Sequence, residues 1–145
     1  MTNILLLLGV FAAGMGLSVE AALLGPLGES IGHLSATLSI FVSGALIVTL
    51  ALVFAPKRNL ATVFAQPRWM LTGGILGPIY VLVMTIATPF IGVGMTMFGI
   101  LLGQIAASLA IDHFGLLGAT GRPVDGYRLG ALALVLIALA LLNGV

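Results

Sequence analysis

The chain has 145 residues, of which 61% are hydrophobic and 6% are charged, and its formal net charge is +1. A soluble domain carries about 25% charged residues, so this composition excludes a soluble globular protein with a polar surface. The five basic residues are scattered, which gives no nucleic-acid-binding surface, and the absence of cysteine excludes disulfides and thiolate metal sites. We predict one transmembrane domain over residues 1–145, embedded in the lipid bilayer.

Apolar stretches long enough to cross a bilayer, about 20 residues each, recur along the chain. The first begins at Ile4 with no basic residue before it, so we expect a retained helix rather than a cleaved signal peptide. Pro26 and the glycines of "GPLGESIGH" disfavour helix, and "ATPFIG" predicts a tight reversal that makes the third and fourth helices antiparallel neighbours. The prediction is an all-α polytopic membrane protein with five transmembrane helices, at residues 4–24, 33–54, 69–88, 91–112 and 127–143.

The basic residues all fall on one side of this topology. The second loop contains Lys57, Arg58 and Arg68, and the fourth contains or borders Arg122 and Arg128, whereas the first and third loops and the C-terminal tail contain none. Lys and Arg favour cytoplasmic loops. The 5:0 distribution therefore predicts a cytoplasmic N-terminus and a C-terminus on the outside.

Small residues recur at intervals of three and four along four of the helices. In lipid, helices associate through close backbone approach at such residues. We therefore predict helix packing at five glycines: Gly16, Gly73, Gly77, Gly99 and Gly103.

Glu20 extends the small-residue stripe of the first helix, so its side chain is expected to point inward. An ionisable group at that depth costs roughly 2.5 kcal/mol or more, which makes an embedded acid a functional candidate. Such an acid could exchange a proton for a cationic substrate. The alternative is a helix that ends early and leaves Glu20 at the interface.

Three further residues could border the same site. Tyr80 and Gln104 lie near the middle of the third and fourth helices, on or beside small-residue faces, and either could contact substrate or join helices by hydrogen bonding. Pro78 frees the carbonyl of Gly74 and predicts a helix kink. Kinked or broken helices often border transport sites.

Asp112 and His113 end the fourth helix, where we predict a cytoplasmic cap and loop contact. Neighbours in a helix point to different faces, so the two do not form a catalytic pair by themselves. We find no nucleophile–base set and no group of metal ligands, and predict neither an enzyme, a metal site nor a cofactor.

The stretch "FGILLGQIAASLAIDHFG", residues 98–115, resembles the YdcZ-like family of small five-helix membrane proteins in the drug/metabolite transporter superfamily. "WMLTGGILGPIYVL" and the last helix resemble that family less specifically. Glu20 stands where the family often has Gln, and thereby resembles the essential glutamate of small multidrug resistance transporters.

The resemblance implies transport in the bacterial inner membrane. A five-helix chain corresponds to half of an inverted repeat, whose site lies at the interface of the halves. This implies a dimer, either with itself or with an oppositely oriented paralogue. We therefore expect a secondary transporter of a small cationic or amphipathic metabolite, coupled to protons through Glu20; an ion channel and a non-transporting assembly protein are the alternatives.

Overall fold

The computed structural model describes residues 2–55, 65–119 and 121–144, which leaves Lys57 and Arg58 outside the described residues. Four α-helices dominate it: α1 (Thr2–Ile31), α2 (His33–Val53), α3 (Gly73–Phe114) and α4 (Gly126–Asn143). A 3₁₀ turn over Arg68–Thr72 precedes α3, and another over Leu116–Gly118 follows it. The predicted all-α class is confirmed for these ranges.

Length and apolar composition identify the segments that can cross a membrane. Three helices qualify, namely Ile4–Ile31, His33–Val53 and Trp69–Phe114, and a shorter apolar helix covers Gly126–Leu142. Most of their large apolar side chains are exposed on the chain, as lipid-facing side chains are. The protein is therefore an all-α polytopic membrane protein, and the division into five crossings stays a prediction.

Helix α1 extends further than its sequence suggests. We expected its end near residue 24, before Pro26, but α1 continues through Pro26 to Ile31. Proline removes one backbone hydrogen bond and crowds the preceding turn, and membrane helices tolerate this where neighbouring helices surround the site. The chain turns instead at Gly32, whose φ of 90° and ψ of 139° suit glycine.

Helix α3 covers the predicted third and fourth helices, and its interruption lies at Gly92. A straight helix of 42 residues would measure roughly 60 Å, about twice the hydrocarbon thickness. Gly92 has a φ of 78° and a ψ of 161° and is the residue of α3 with non-helical dihedrals. Pro78 lies within the helical part, and its predicted kink stays a prediction.

Replacing Gly92 by alanine should lower stability by about 1–3 kcal/mol, because its dihedral region is nearly restricted to glycine. A Cβ at this position would meet no atom within 4 Å, so the cost would come from the backbone and not from crowding. Gly94→Ala is the matched control, since Gly94 has an equally open surrounding and no positive φ. We expect a lower melting temperature in detergent for Gly92→Ala alone. Equal melting temperatures of both variants would contradict the expected backbone cost at position 92.

The helices divide into two compact units, Met1–Phe90 and Ile91–Val145. The first unit contains α1, α2 and the first part of α3. Its buried side chains lie near the α1–α2 turn, where Ala21, Leu24 and Ala36 are at most 1% exposed. The second unit contains the rest of α3, its 3₁₀ turn and α4. That the third and fourth predicted helices are antiparallel neighbours stays a prediction.

Candidate functional site

A cavity of about 540 Å³ lies in the first unit between α1, α2 and α3. Each helix contributes residues spaced by three or four positions, so that one face of each borders the cavity. Its lining residues are Leu17, Glu20, Ile40, Phe41, Gly44, Ala45, Val48, Gly77, Tyr80 and Val81. The walls are apolar apart from the carboxylate of Glu20 and the hydroxyl-bearing side chain of Tyr80, which suits a site for a molecule with an apolar body.

Glu20 is half-buried and lies one helical turn from Leu17 on the same face of α1. Among the residues whose side chains the structure describes, no Lys, Arg or His lies within ion-pair distance of its carboxylate. The carboxylate is therefore available to bind a proton or a cation from the cavity.

Tyr80 lies on α3 and borders the same cavity. Its hydroxyl oxygen is buried and has no hydrogen-bond partner. A buried tyrosine hydroxyl without a partner is costly, so a small movement that brings it to an acceptor would be favourable. Glu20 carries the carboxylate on this cavity and could serve as that acceptor.

Phe41 and Gly44 of the cavity were not singled out from the sequence, whereas Gly77 was predicted only as a packing glycine. A Cβ at Gly77 would lie 3.4 Å from the ring of Phe41, so Gly77 lets this ring lie closely across α3. Gly44 follows Phe41 by three positions on α2 and borders the cavity with it. The spacing of Phe41, Gly44 and Val48 at i, i+3 and i+7 is the sequence signal that marks this face.

Gln104 belongs to the second unit, has an exposed side chain, and is not among the residues lining the cavity. Its predicted place beside Glu20 and Tyr80 stays a prediction. Four of the five predicted packing glycines, Gly16, Gly73, Gly99 and Gly103, would meet no atom within 4 Å if given a Cβ. Among the described residues, Gly77 is the one of the five at which an added Cβ would contact a neighbouring side chain.

Asp112 joins the end of α3 to the start of α4 in the second unit. Its carboxylate accepts a hydrogen bond from Arg128 at 2.8 Å, and its main-chain oxygen accepts one from the backbone N–H of Arg122 at 2.7 Å. Asp125 caps α4 by accepting from the backbone N–H of Arg128 at 2.9 Å. The sequence suggested a loop contact at Asp112 but not this partner, which lies 16 residues away.

His113 is exposed, and its ring packs edge-on against Phe114 with the centroids 4.9 Å apart. His33 is the other histidine; it begins α2, and its Nδ1 atom is buried without a hydrogen-bond partner. Among the described residues, no group of three or more His, Cys, Asp or Glu side chains could hold a metal ion.

Comparison with known protein families gives one assignment. Residues 5–141 match the family model described as "Putative inner membrane exporter, YdcZ". Neither the curated proteins nor the solved structures contain a significant match to the chain. The family model covers nearly the whole chain, including the three helices that form the cavity. The chain therefore belongs to the YdcZ-like family and is a multi-pass membrane protein of the transporter class.

Proposed function

We propose that the protein is a secondary transporter of a small cationic or amphipathic metabolite, coupled to protons through Glu20. The observation that carries the proposal is the presence of Glu20 and Tyr80 on one cavity with otherwise apolar walls. A carboxylate without an ion-pair partner can bind either a proton or an organic cation. Once protonated it is neutral, so it binds the cation less tightly. Competition for one carboxylate is sufficient to couple the two fluxes.

The size of the cavity supports a small substrate. A volume of about 540 Å³ lies within the range of small-molecule sites, roughly 300–1,000 Å³. The ring of Phe41 and the aliphatic side chains of α2 would contact the apolar part of the substrate, while Glu20 would contact its charge. When no cation is bound, Tyr80 would stabilise the Glu20 carboxylate by donating a hydrogen bond from its hydroxyl.

We further propose that the functional unit is a dimer. Four of the five predicted packing glycines, Gly16, Gly73, Gly99 and Gly103, have no neighbour within 4 Å of an added Cβ among the described residues, and small residues are the positions at which membrane helices approach closely. Inverted-repeat transporters place their site between two halves. A second chain, either a copy or an oppositely oriented relative, would supply the missing half.

Flux measurements in proteoliposomes test the function directly. An imposed pH gradient should drive uptake of an organic cation that saturates with concentration, and a screen of metabolite classes by solid-supported-membrane electrophysiology should identify the substrate. Dissipating the gradient should remove the accumulation. A steady current that neither saturates nor depends on the gradient would indicate a channel, and no flux of any class would favour an assembly protein.

A further inference from the structure

The first unit is tightly packed at one end of the cavity only. Three sets of residues with the same i, i+3, i+4, i+7 spacing meet there. We call them the three-helix seam: Ala21, Leu24, Gly25 and Gly28 of α1, His33, Ala36, Thr37 and Ile40 of α2, and Val81, Met84, Thr85 and Thr88 of α3. Most of these residues are buried, and Ala21, Ala36 and Thr85 are 0% exposed.

On the other side of the cavity the helices are not packed together in this way. Residues 4–16 of α1, 42–51 of α2 and 69–76 at and before the start of α3 are all exposed, so no face of these stretches is buried. The cavity therefore lies between a packed end and an open end. With the predicted N-terminus inside, the packed end faces the outside, because it contains the turn between α1 and α2.

The contact at Gly28 is the tightest point of the seam. A Cβ at this position would lie 2.6 Å from Nδ1 of His33 and 2.6 Å from Cγ2 of Thr85. Gly25, one turn earlier, is less crowded, since its Cβ would lie 3.2 Å from Cγ2 of Thr88. Glycine at position 28 therefore allows α1 to lie directly against both neighbouring segments.

The polar groups of the seam do not tie the helices together. The hydroxyls of Thr37, Thr85 and Thr88 each donate to a carbonyl four residues earlier in their own chain segment, at 2.8 Å. These bonds would survive if the helices separated. His33 Nδ1 has no partner in the closed arrangement, so separation would give it water. The seam is therefore held by van der Waals contact.

We infer that the three-helix seam is the outer gate of the transport site, with the contact of His33 and Thr85 against Gly28 as its closing point. The inference rests on the proposed transport function and on the predicted orientation. Opening requires α1 to move away from α2 and α3 at this end, which breaks no hydrogen bond among the groups of the seam described above. Glu20, next to the seam on α1, would then become accessible from outside.

Cysteine labelling tests the gate without any transport measurement, because the chain contains no cysteine. Thr88→Cys, which replaces the hydroxyl by a thiol and removes one methyl group, reports on the seam, and Ala45→Cys reports on the cavity. In oriented membrane vesicles treated with a membrane-impermeant maleimide, Thr88→Cys should be protected from both sides and Ala45→Cys should react from the inside. Rapid outside labelling of Thr88→Cys, or faster labelling of Ala45→Cys from outside than from inside, would overturn the assignment.

Gly28→Ala should then raise the outside labelling rate of Thr88→Cys about tenfold, since overpacking of this kind destabilises the closed contact. Gly14→Ala is the matched control on the same helix, because its Cβ would meet nothing within 4 Å and Gly14 is not one of the predicted packing glycines, and it should leave the rate unchanged. His33→Ala, which removes the imidazole without adding a clash, should raise the rate severalfold and decides the matter if Gly28→Ala fails to fold.

Unchanged labelling in whichever of these variants remains folded, as judged by elution and melting temperature, would overturn the gate. The outcome is separable from that of the transport proposal. Altered labelling without proton-driven flux would support the opening of the seam and contradict the proposed transport function. Proton-driven flux with unaltered labelling would retain the function and remove this gate.

Discussion

Glu20→Gln is expected to reduce proton-driven flux by about a hundredfold or more, which is typical of losing an essential proton-transfer group. Glutamine keeps the size and hydrogen-bonding capacity of the side chain but cannot release a proton or neutralise a cation. The variant should fold normally, because Glu20 has no ion pair among the described residues and a neutral side chain is cheaper to embed. The measurement is the initial uptake rate into proteoliposomes under an imposed pH gradient.

Glu29→Gln is the matched control for this experiment. Glu29 lies on the same helix but its side chain is exposed and does not line the cavity. The substitution makes the same chemical change, so flux should remain close to that of the native protein. Undiminished proton-driven flux in Glu20→Gln would move the coupling to another residue, and equal losses in both variants would point to a general charge effect.

A C-terminal fusion should report almost entirely from outside the cell. All five basic residues lie on one side of the predicted five-crossing topology, and this bias sets orientation. We expect a reporter active only outside to exceed one active only inside by about tenfold or more. Comparable signals would mean insertion in both orientations, and the interpretation of the charge distribution would be wrong.

Neutralising Lys57, Arg58 and Arg68 should bring the two reporter signals closer together, because it leaves two basic residues to set orientation. Glu29→Gln again serves as the control, since acidic residues contribute little to orientation. A native protein that inserts in one orientation also has a consequence for the dimer. It would favour an oppositely oriented relative as the partner in an antiparallel pair, because copies of this chain would insert in one direction.

The class of protein and the polarity of its helices follow from the sequence alone. Continuous apolar runs determine helices in lipid, because every backbone group in the hydrocarbon must be satisfied within its own segment. Composition therefore predicted an all-α membrane protein, and residues 98–115 carried the family resemblance. Glu20 could be selected because ionisable groups are rare and costly in such segments, and Tyr80 because a buried tyrosine hydroxyl needs a hydrogen-bond partner.

Other features depended on contacts between residues far apart in the chain. Local sequence rules predicted that α1 would end before Pro26, but the cost of a proline depends on the surrounding helices, and α1 continues to Ile31. The sequence around Asp112 does not predict that its partner is Arg128, because the course of the loop between the two residues cannot be predicted from sequence. Similarly, glycine at position 28 reads as a helix breaker until His33 and Thr85 are placed against it.

Sequence alone thus determined which segments are apolar enough to enter a membrane and which of their residues are chemically unusual, because lipid imposes a constraint on each segment separately. Tertiary structure decided that Glu20 and Tyr80 border one cavity and that the helices around it pack at one end only. Packing of helices in lipid depends on shape at close range. The absence of a Cβ at Gly28 and Gly77 therefore allows close helix contacts that the hydrophobic pattern does not predict.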